Sequence, residues 1–146
     1  MTRDEAVATV QALVQAIDPS AKTKGLSPKN VGGVSIGEEA LYFEYLPEAG
    51  TLSVMALVYR FRAMPKPAVL EAFRAVEKGE DKGGGAFDYQ APSKSVLLSR
   101  AYPAAPAAAK LKKDVEKLVA ACKRWREEVV PKVAARAQAK GSRDLS

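Results

Sequence analysis

The stretch TLSVMALVYRFRAMPKPAVLEAFRAVEKG, residues 51–79, contains two periodicities in succession. In residues 51–62, apolar side chains occupy both alternating faces of an extended chain. A strand that is buried on one side only alternates apolar and polar residues more cleanly. The pattern predicts a strand that is covered on both faces, by helices, another subunit or a bound segment. One face consists of Leu52, Val54, Ala56 and Val58, and the other of Met55, Leu57, Tyr59 and Phe61.

The second half of the same stretch predicts a helix. Pro65 and Pro67 stand near its start and Gly79 follows its end, which is the usual placement of these residue types around a helix. The apolar positions between them recur with helical spacing. The predicted buried residues are Val69, Leu70, Phe73 and Val76.

Upstream of this stretch, a helix and two strands are predicted. Residues 4–17 repeat an apolar residue every three or four positions, which indicates an amphipathic helix that stops before Pro19. Residues 19–39 are rich in Ser, Lys, Gly and Pro and predict a loop with a short strand at Val34–Ile36. The run ALYFEYL then alternates apolar and more polar residues, as a strand does, with Leu41, Phe43 and Tyr45 on one face.

Downstream, two short strands and a long helix are predicted. The strands are AFDYQ and SVLLSRAY, on either side of the turn APSK. The helix runs from about Ala107 to Val130, and Pro131 breaks or kinks it. Its apolar stripe, at spacings of 4, 3, 4, 3 and 4, consists of Leu111, Val115, Leu118, Cys122, Trp125 and Val129.

The order of these elements predicts an α+β fold. An antiparallel sheet carries helices in the order α-β-β-β-α-β-β-α, and a chain of 146 residues suits one core. We expect one domain over residues 1–131, followed by a basic, frayed tail over residues 132–146.

Composition argues against several functional classes. The chain has no histidine and a single cysteine, so it lacks the commonest general base and any Cys/His zinc spacing. The adjacent acidic pairs, such as Glu127 and Glu128, predict solvated surface rather than paired catalytic carboxylates. No apolar run is long enough to span a membrane. We therefore expect a cytoplasmic protein that is not an enzyme and has no metal or cofactor; an enzyme that uses loop carboxylates is the third hypothesis.

The positive charge is concentrated near the C-terminal end. Residues 1–109 hold 12 basic and 12 acidic side chains, and residues 110–146 hold 11 and 5, which accounts for the net charge of +6. Clustered cations beside a tryptophan could bind nucleic acid. The apolar position of Trp125 and the interspersed acids favour a solvated helix face, so nucleic acid is the alternative partner, through Lys112, Lys113, Lys123, Arg124 and Arg126.

In this order of landmarks, the chain resembles the Tir chaperone family, the class I type III secretion chaperones and their relatives. A strand with Leu52, Val54 and Leu57 passes through the corner at residues 64–65 into the helix with Phe73. A glycine-bearing loop leads to the strand around residues 96–98, the corner SRAYP and a long helix that carries Trp125 before Arg126.

The resemblance implies a homodimeric protein that holds an extended segment of a client protein without catalysis. A non-globular client loses entropy on binding, and strand addition or apolar anchors offset that loss. The resemblance implies client contacts through Val10, Leu13, Leu41, Phe43, Leu52 and Val54. It implies a dimer interface of the middle helix and the following strand, through Val69, Leu70, Phe73, Val76, Phe87 and Tyr89.

Overall fold

The computed structural model describes residues 1–21 and 25–139. The helices and strands follow the predicted order, with the last helix in two parts. They are α1 (Arg3–Ile17), β1 (Val31–Ile36), β2 (Glu39–Leu46), β3 (Thr51–Arg60), α2 (Pro67–Glu77), β4 (Ala86–Gln90), β5 (Ser95–Tyr102), α3 (Ala108–Arg124), a π-helical turn (Trp125–Val129) and α4 (Val130–Ala139).

The five strands form one antiparallel sheet in the order β1-β2-β3-β5-β4, which confirms the predicted fold class. Each pair of neighbouring strands except β3 and β5 is joined directly along the chain, and α2 lies in the connection that carries β3 to the other half of the sheet. Both β1 and β4 are edge strands in this sheet.

The core lies on one face of the sheet. Helix α3 packs against β2, β3 and β5, and α1 packs against α3 and β2. Alternate residues of each strand point to this face, as in any pleated strand. Leu52, Val54 and Leu98 are among the side chains that form one cluster there with Leu111, Leu118 and Trp125 of the long helix.

The helix is not interrupted at Pro131. Proline lacks an N–H group, and in an α-helix its ring crowds the carbonyl four residues earlier, here that of Glu127. Glu127 lies within the widened π-helical turn, in which the Val130 N–H reaches the Trp125 carbonyl. The helical path therefore continues into α4.

The predicted frayed tail is corrected over the described part of its length. Val133 and Ala137 are buried, and α4 packs against α2. The single domain therefore includes α4 up to Ala139, because α4 supplies apolar side chains to the shared core. The rest of the predicted tail, residues 140–146, lies outside the described residues.

Within 1–21 and 25–139, every helix is too short or too polar to cross a bilayer.

Candidate functional site

The side chains predicted to contact a client lie in the interior of the chain. All six belong to the core cluster between the helices and the sheet. Leu13 is 3% exposed, and the other five are exposed by 1% or less. The apolar character that singled them out reflects core packing, because α1 and α3 cover this face. The predicted set is therefore corrected, since these side chains form no surface: Val10, Leu13, Leu41, Phe43, Leu52 and Val54.

The opposite face of the sheet carries a groove of about 230 Å³. Met55 of β3 and Leu97 of β5 lie at its base and are 7% and 3% exposed. Both point away from the core cluster and do not belong to it. The groove begins at the β1 edge, where Val31 is 43% exposed. We call this surface the open-face groove.

Polar side chains lie across the apolar base of the open-face groove. Arg60 donates to the Ser95 hydroxyl at 3.2 Å and to the Tyr42 hydroxyl at 3.3 Å. Gln90 donates from its amide nitrogen to the Met55 sulfur at 3.3 Å. An apolar base under long, polar side chains provides both contact area and hydrogen-bonding groups for a peptide.

Helices α1 and α3 therefore leave Met55 and Leu57 of β3 uncovered. Phe61, predicted on the same face, is instead buried in the core cluster, because the register of β3 shifts between Leu57 and Tyr59. The sequence left three candidates for that cover, namely helices, another subunit or a bound segment. In the structure, Met55 is shielded by side chains of its own sheet face, and Leu57 is half-buried. Sequence reasoning missed Tyr42, Arg60 and Gln90 as site residues, although the apolar second face of β3 had indicated a surface there.

The residues predicted for a dimer interface lie around an aromatic cluster within one chain. Phe61 meets Phe73 edge to face at 6.2 Å between ring centroids, and Phe87 stacks between Phe73 and Trp125 at 5.9 and 6.1 Å. Val69 and Phe73 are fully buried, partly because α4 packs on α2. The members that retain partial exposure are Leu70, Val76, Phe87 and Tyr89.

Trp125 is part of the core. Its side chain is 0% exposed, and its indole N–H donates to the Asp81 carbonyl at 2.7 Å. The hydrogen bond ties the loop before β4 to the π-helical turn. An indole held in this way cannot stack on a nucleic acid base without local unfolding.

Arg126 contacts the sheet, although its side chain is 34% exposed. The register of β3 shifts between Leu57 and Tyr59, and Arg126 donates to the Leu57 and Val58 carbonyls there at 3.0 and 3.4 Å. The same guanidinium pairs with the carboxylate of Glu39. Arg126 is therefore removed from the predicted nucleic-acid patch, because its donors satisfy carbonyls at the bulge.

The remaining cations of that predicted patch do not form one surface. Arg124 pairs with Glu80 at 2.8 Å and with Glu128 at 3.0 Å. Lys113 lies on the same helix edge as Arg124, whereas Lys112 and Lys123, eleven residues apart, lie on the next edge. The structure thus separates Lys112 and Lys123 from Lys113 and Arg124.

A buried carboxylate links β5 to α3. Asp114 accepts hydrogen bonds from the Tyr102 hydroxyl at 2.7 Å and from Lys110 at 2.8 Å, and Arg100 lies 3.5 Å away. Burial disfavours the charge of Asp114, but the hydrogen bonds from Lys110 and Tyr102 and the charge of Arg100 outweigh it and lower its pKa. Burial and the Asp114 carboxylate raise the pKa of Tyr102. Asp114, Tyr102 and Lys110 therefore form a structural hydrogen-bonded group, and Arg100 adds a longer ion pair at its edge.

Residues 1–21 and 25–139 hold neither a metal-ligand cluster nor an activated cysteine. Within that part of the chain, no three His, Cys, Asp or Glu side chains lie close enough to hold a metal ion. Burial raises the pKa of the Cys122 thiol to about 12, so this thiol is not an activated nucleophile.

Comparison with known proteins gives results at the level of structure only. No family model matches the chain, and no curated protein matches it. A chain of the ExsC–ExsE complex matches with a TM-score of 0.67 and 11% identity, over 88% of this chain and 96% of that one.

Two further complexes agree with this match. The HopA1–SchA chaperone–effector complex matches with a TM-score of 0.55 and 14% identity, over 87% of this chain and 98% of that one. The ExoT–SpcS complex from Pseudomonas aeruginosa matches with a TM-score of 0.55 and 16% identity, over 84% and 98%. These matches show that the chain has the fold of the type III secretion chaperones, so the predicted resemblance is confirmed at the level of the fold.

Proposed function

We propose that this protein is a non-enzymatic, chaperone-like binding protein that holds an extended segment of a client protein. The open-face groove is the observation that carries this proposal. It offers the apolar base of Met55 and Leu97, and it opens at the β1 edge, where a client strand could add to the sheet. The fold shared with chaperones seen in complex with effectors supports it.

The open-face groove suits an extended peptide better than a folded surface. Its volume of about 230 Å³ accommodates a few side chains. Glu44 and Arg60 at its rim offer one acceptor and one donor for a peptide backbone or polar side chains. A disordered client loses entropy on binding, and apolar anchors in the groove would offset that loss. That this binding takes place in the cytoplasm stays a prediction.

The test is selection of extended peptides from a random display library, followed by fluorescence anisotropy. Val31→Lys places a charge at the mouth of the open-face groove, and Met64→Lys makes the same change at an exposed site that does not line it. We expect Val31→Lys to weaken binding about tenfold or more and Met64→Lys to change it about twofold or less. Absence of selected peptides, or equal effects of the two variants, would refute the proposal.

Homodimer formation is the second part of the proposal and has its own test. The half-exposed Leu70 and Val76 of α2 and the free edge of β4 are available for a second copy. We expect light scattering to give twice the chain mass of 15.6 kDa. Leu70→Glu should restore the single mass, whereas Leu46→Glu, exposed at the end of β2, should not. A wild-type protein of single mass at high concentration would contradict dimer formation and leave the client proposal standing.

A further inference from the structure

The long helix carries a line of cations along one edge. Lys113, Lys117 and Arg124 follow one another at spacings of four and seven residues, which places them on the same side of α3. Lys113 and Lys117 are exposed, and neither forms an ion pair within the part of the chain that the structure describes. Their charge is therefore available to a partner.

The glycine loop before β4 meets this edge and forms a cleft. Gly83 and Gly84 have φ of +61° and +83°. A Cβ atom on Gly83 would lie 2.5 Å from the Lys117 carbonyl oxygen, and one on Gly84 would lie 2.7 Å from Nη1 of Arg100. The Lys117 backbone therefore requires glycine at position 83, and the positive φ favours glycine at position 84.

The resulting cavity measures about 570 Å³ and is lined by cations, by small side chains and by glycine backbone. Arg100 and Lys117 stand on its walls, and Ala120 and Ala121 leave room between them. We call it the cationic cleft.

The charge balance of the cationic cleft is positive. Arg124 already pairs with Glu80 and Glu128, whereas Arg100 reaches Asp114 only at 3.5 Å and shares it with Lys110. The one carboxylate in the lining is Asp81, and one of its oxygens accepts the Gly83 N–H at 3.0 Å. Arg100 and Lys117 therefore supply most of the charge that a ligand would meet.

We propose that the cationic cleft binds an acidic segment of a partner protein, with a Glu or Asp carboxylate held by Arg100 and Lys117. A guanidinium and an ammonium group on the walls of a partly enclosed site form charge-assisted hydrogen bonds to carboxylates. Nucleic acid fits less well because Glu80, Asp81 and Glu128 lie beside Arg124 and would repel a continuous phosphate backbone. No aromatic side chain lines the described cleft for base stacking.

The cationic cleft is separate from the open-face groove. Along β5, Leu97 and Ser99 point to the open face of the sheet, and Leu97 lies in the groove. Arg100 points to the opposite, helix-covered face and lines the cleft. The proposal therefore concerns a second surface, and it stands or falls independently of client binding in the groove.

The test uses fluorescence anisotropy with a labelled peptide of alternating glutamate and glycine. A peptide with glutamine in place of each glutamate is the matched probe, and a single-stranded DNA of equal charge is the competing class. Lys117→Glu reverses the charge on the cleft wall, and Lys112→Glu makes the same change in net charge on the next edge of α3. Ala120→Leu fills the cleft without any change of charge.

We expect the glutamate peptide to bind and the glutamine peptide not to bind at low salt. Lys117→Glu and Ala120→Leu should each weaken binding about tenfold or more, and Lys112→Glu about threefold or less. Val31→Lys, in the open-face groove, should leave this binding unchanged. Equal effects of the two lysine variants, tighter binding of the DNA with the same dependence on Lys117, or absence of peptide binding would each overturn the proposal.

Discussion

At the scale of single residues, polar side chains of the long helix form internal contacts that the charged sequence around them does not indicate. Arg126 stands in the charged run KRWREE, yet its guanidinium reaches the carbonyls of Leu57 and Val58 at the bulge of β3 and the carboxylate of Glu39. Buried carbonyls without donors destabilise a fold, and Arg126 supplies the donors.

Replacing Arg126 by methionine should therefore lower stability. The variant leaves Glu39, which is 15% exposed at its side chain, without its cation, and it removes the donor that the Leu57 and Val58 carbonyls share. We expect the free energy of unfolding in urea to fall by about 2 kcal/mol. Arg136→Met, at an exposed position of α4, should change it by less than about 0.5 kcal/mol. Similar unfolding midpoints for the two variants would show that Arg126 is an ordinary surface cation.

The Asp114 network predicts a defined dependence on pH. The folded-state pKa of Asp114 lies below its usual value of 3.8, so its charge stabilises the fold above that pH. This contribution is lost as the pH falls through the lower folded-state pKa. We expect Asp114→Asn to be less stable than the wild type by about 2 kcal/mol near neutral pH, and the difference to shrink in acid. A difference in urea midpoints that stays constant with pH would contradict this account.

At the scale of elements, the connections determine how the helices meet the sheet. The π-helical turn brings both Trp125 and Arg126 to internal partners and carries the chain past Pro131 into α4. The glycine loop in turn packs against α3 because Gly83 has no side chain to meet the Lys117 carbonyl. The loop thus depends on positive φ values that glycine adopts readily, and the long helix depends on one widened turn.

Two glycines of the same region provide a matched test of the loop. Gly83→Ala puts a Cβ atom 2.5 Å from a backbone oxygen at a φ of +61°, and we expect a loss of about 2 kcal/mol or more. Gly79→Ala places its Cβ atom in open space at a residue whose φ is not positive, so stability should stay equal or rise by up to about 1 kcal/mol. Thermal unfolding by circular dichroism measures both. Equal losses would mean that the loop does not pack closely on α3.

At the scale of the whole molecule, one core separates two candidate binding surfaces. The open-face groove lies on the side of the sheet that helices α1 and α3 leave uncovered, and the cationic cleft lies between α3 and the loop before β4. The core cluster between them contains side chains of all four helices. A continuous core of this kind predicts one cooperative unit.

The unfolding transition tests whether the domain unfolds as one cooperative unit. Trp125 reports on the junction of α3, α4 and the loop before β4, and far-ultraviolet circular dichroism reports on all helices and strands. We expect the two signals to change at the same urea concentration, with a blue-shifted folded-state emission from the buried indole. Separate midpoints would indicate that α4 or the sheet unfolds independently.

The order of elements, the fold class and the buried stripe that includes Trp125 follow from local sequence patterns. Periods of two and 3.6 residues are local properties, and turn residues mark where one gives way to the other. They predicted β4 and β5 over the stretches AFDYQ and SVLLSRAY, which are the strands that form.

Which apolar residues reach the surface and which cations remain available depends on tertiary packing. Apolar spacing identifies Phe43 and Met55 equally, but the position of α1 and α3 puts Phe43 in the core and Met55 under the open-face groove. Charge spacing likewise cannot distinguish Lys117 from Arg126, because the acceptors of Arg126 lie 68 or more positions away along the chain. Burial and ion pairing arise from contacts between distant segments, and these exist only once the sheet and helices have packed together.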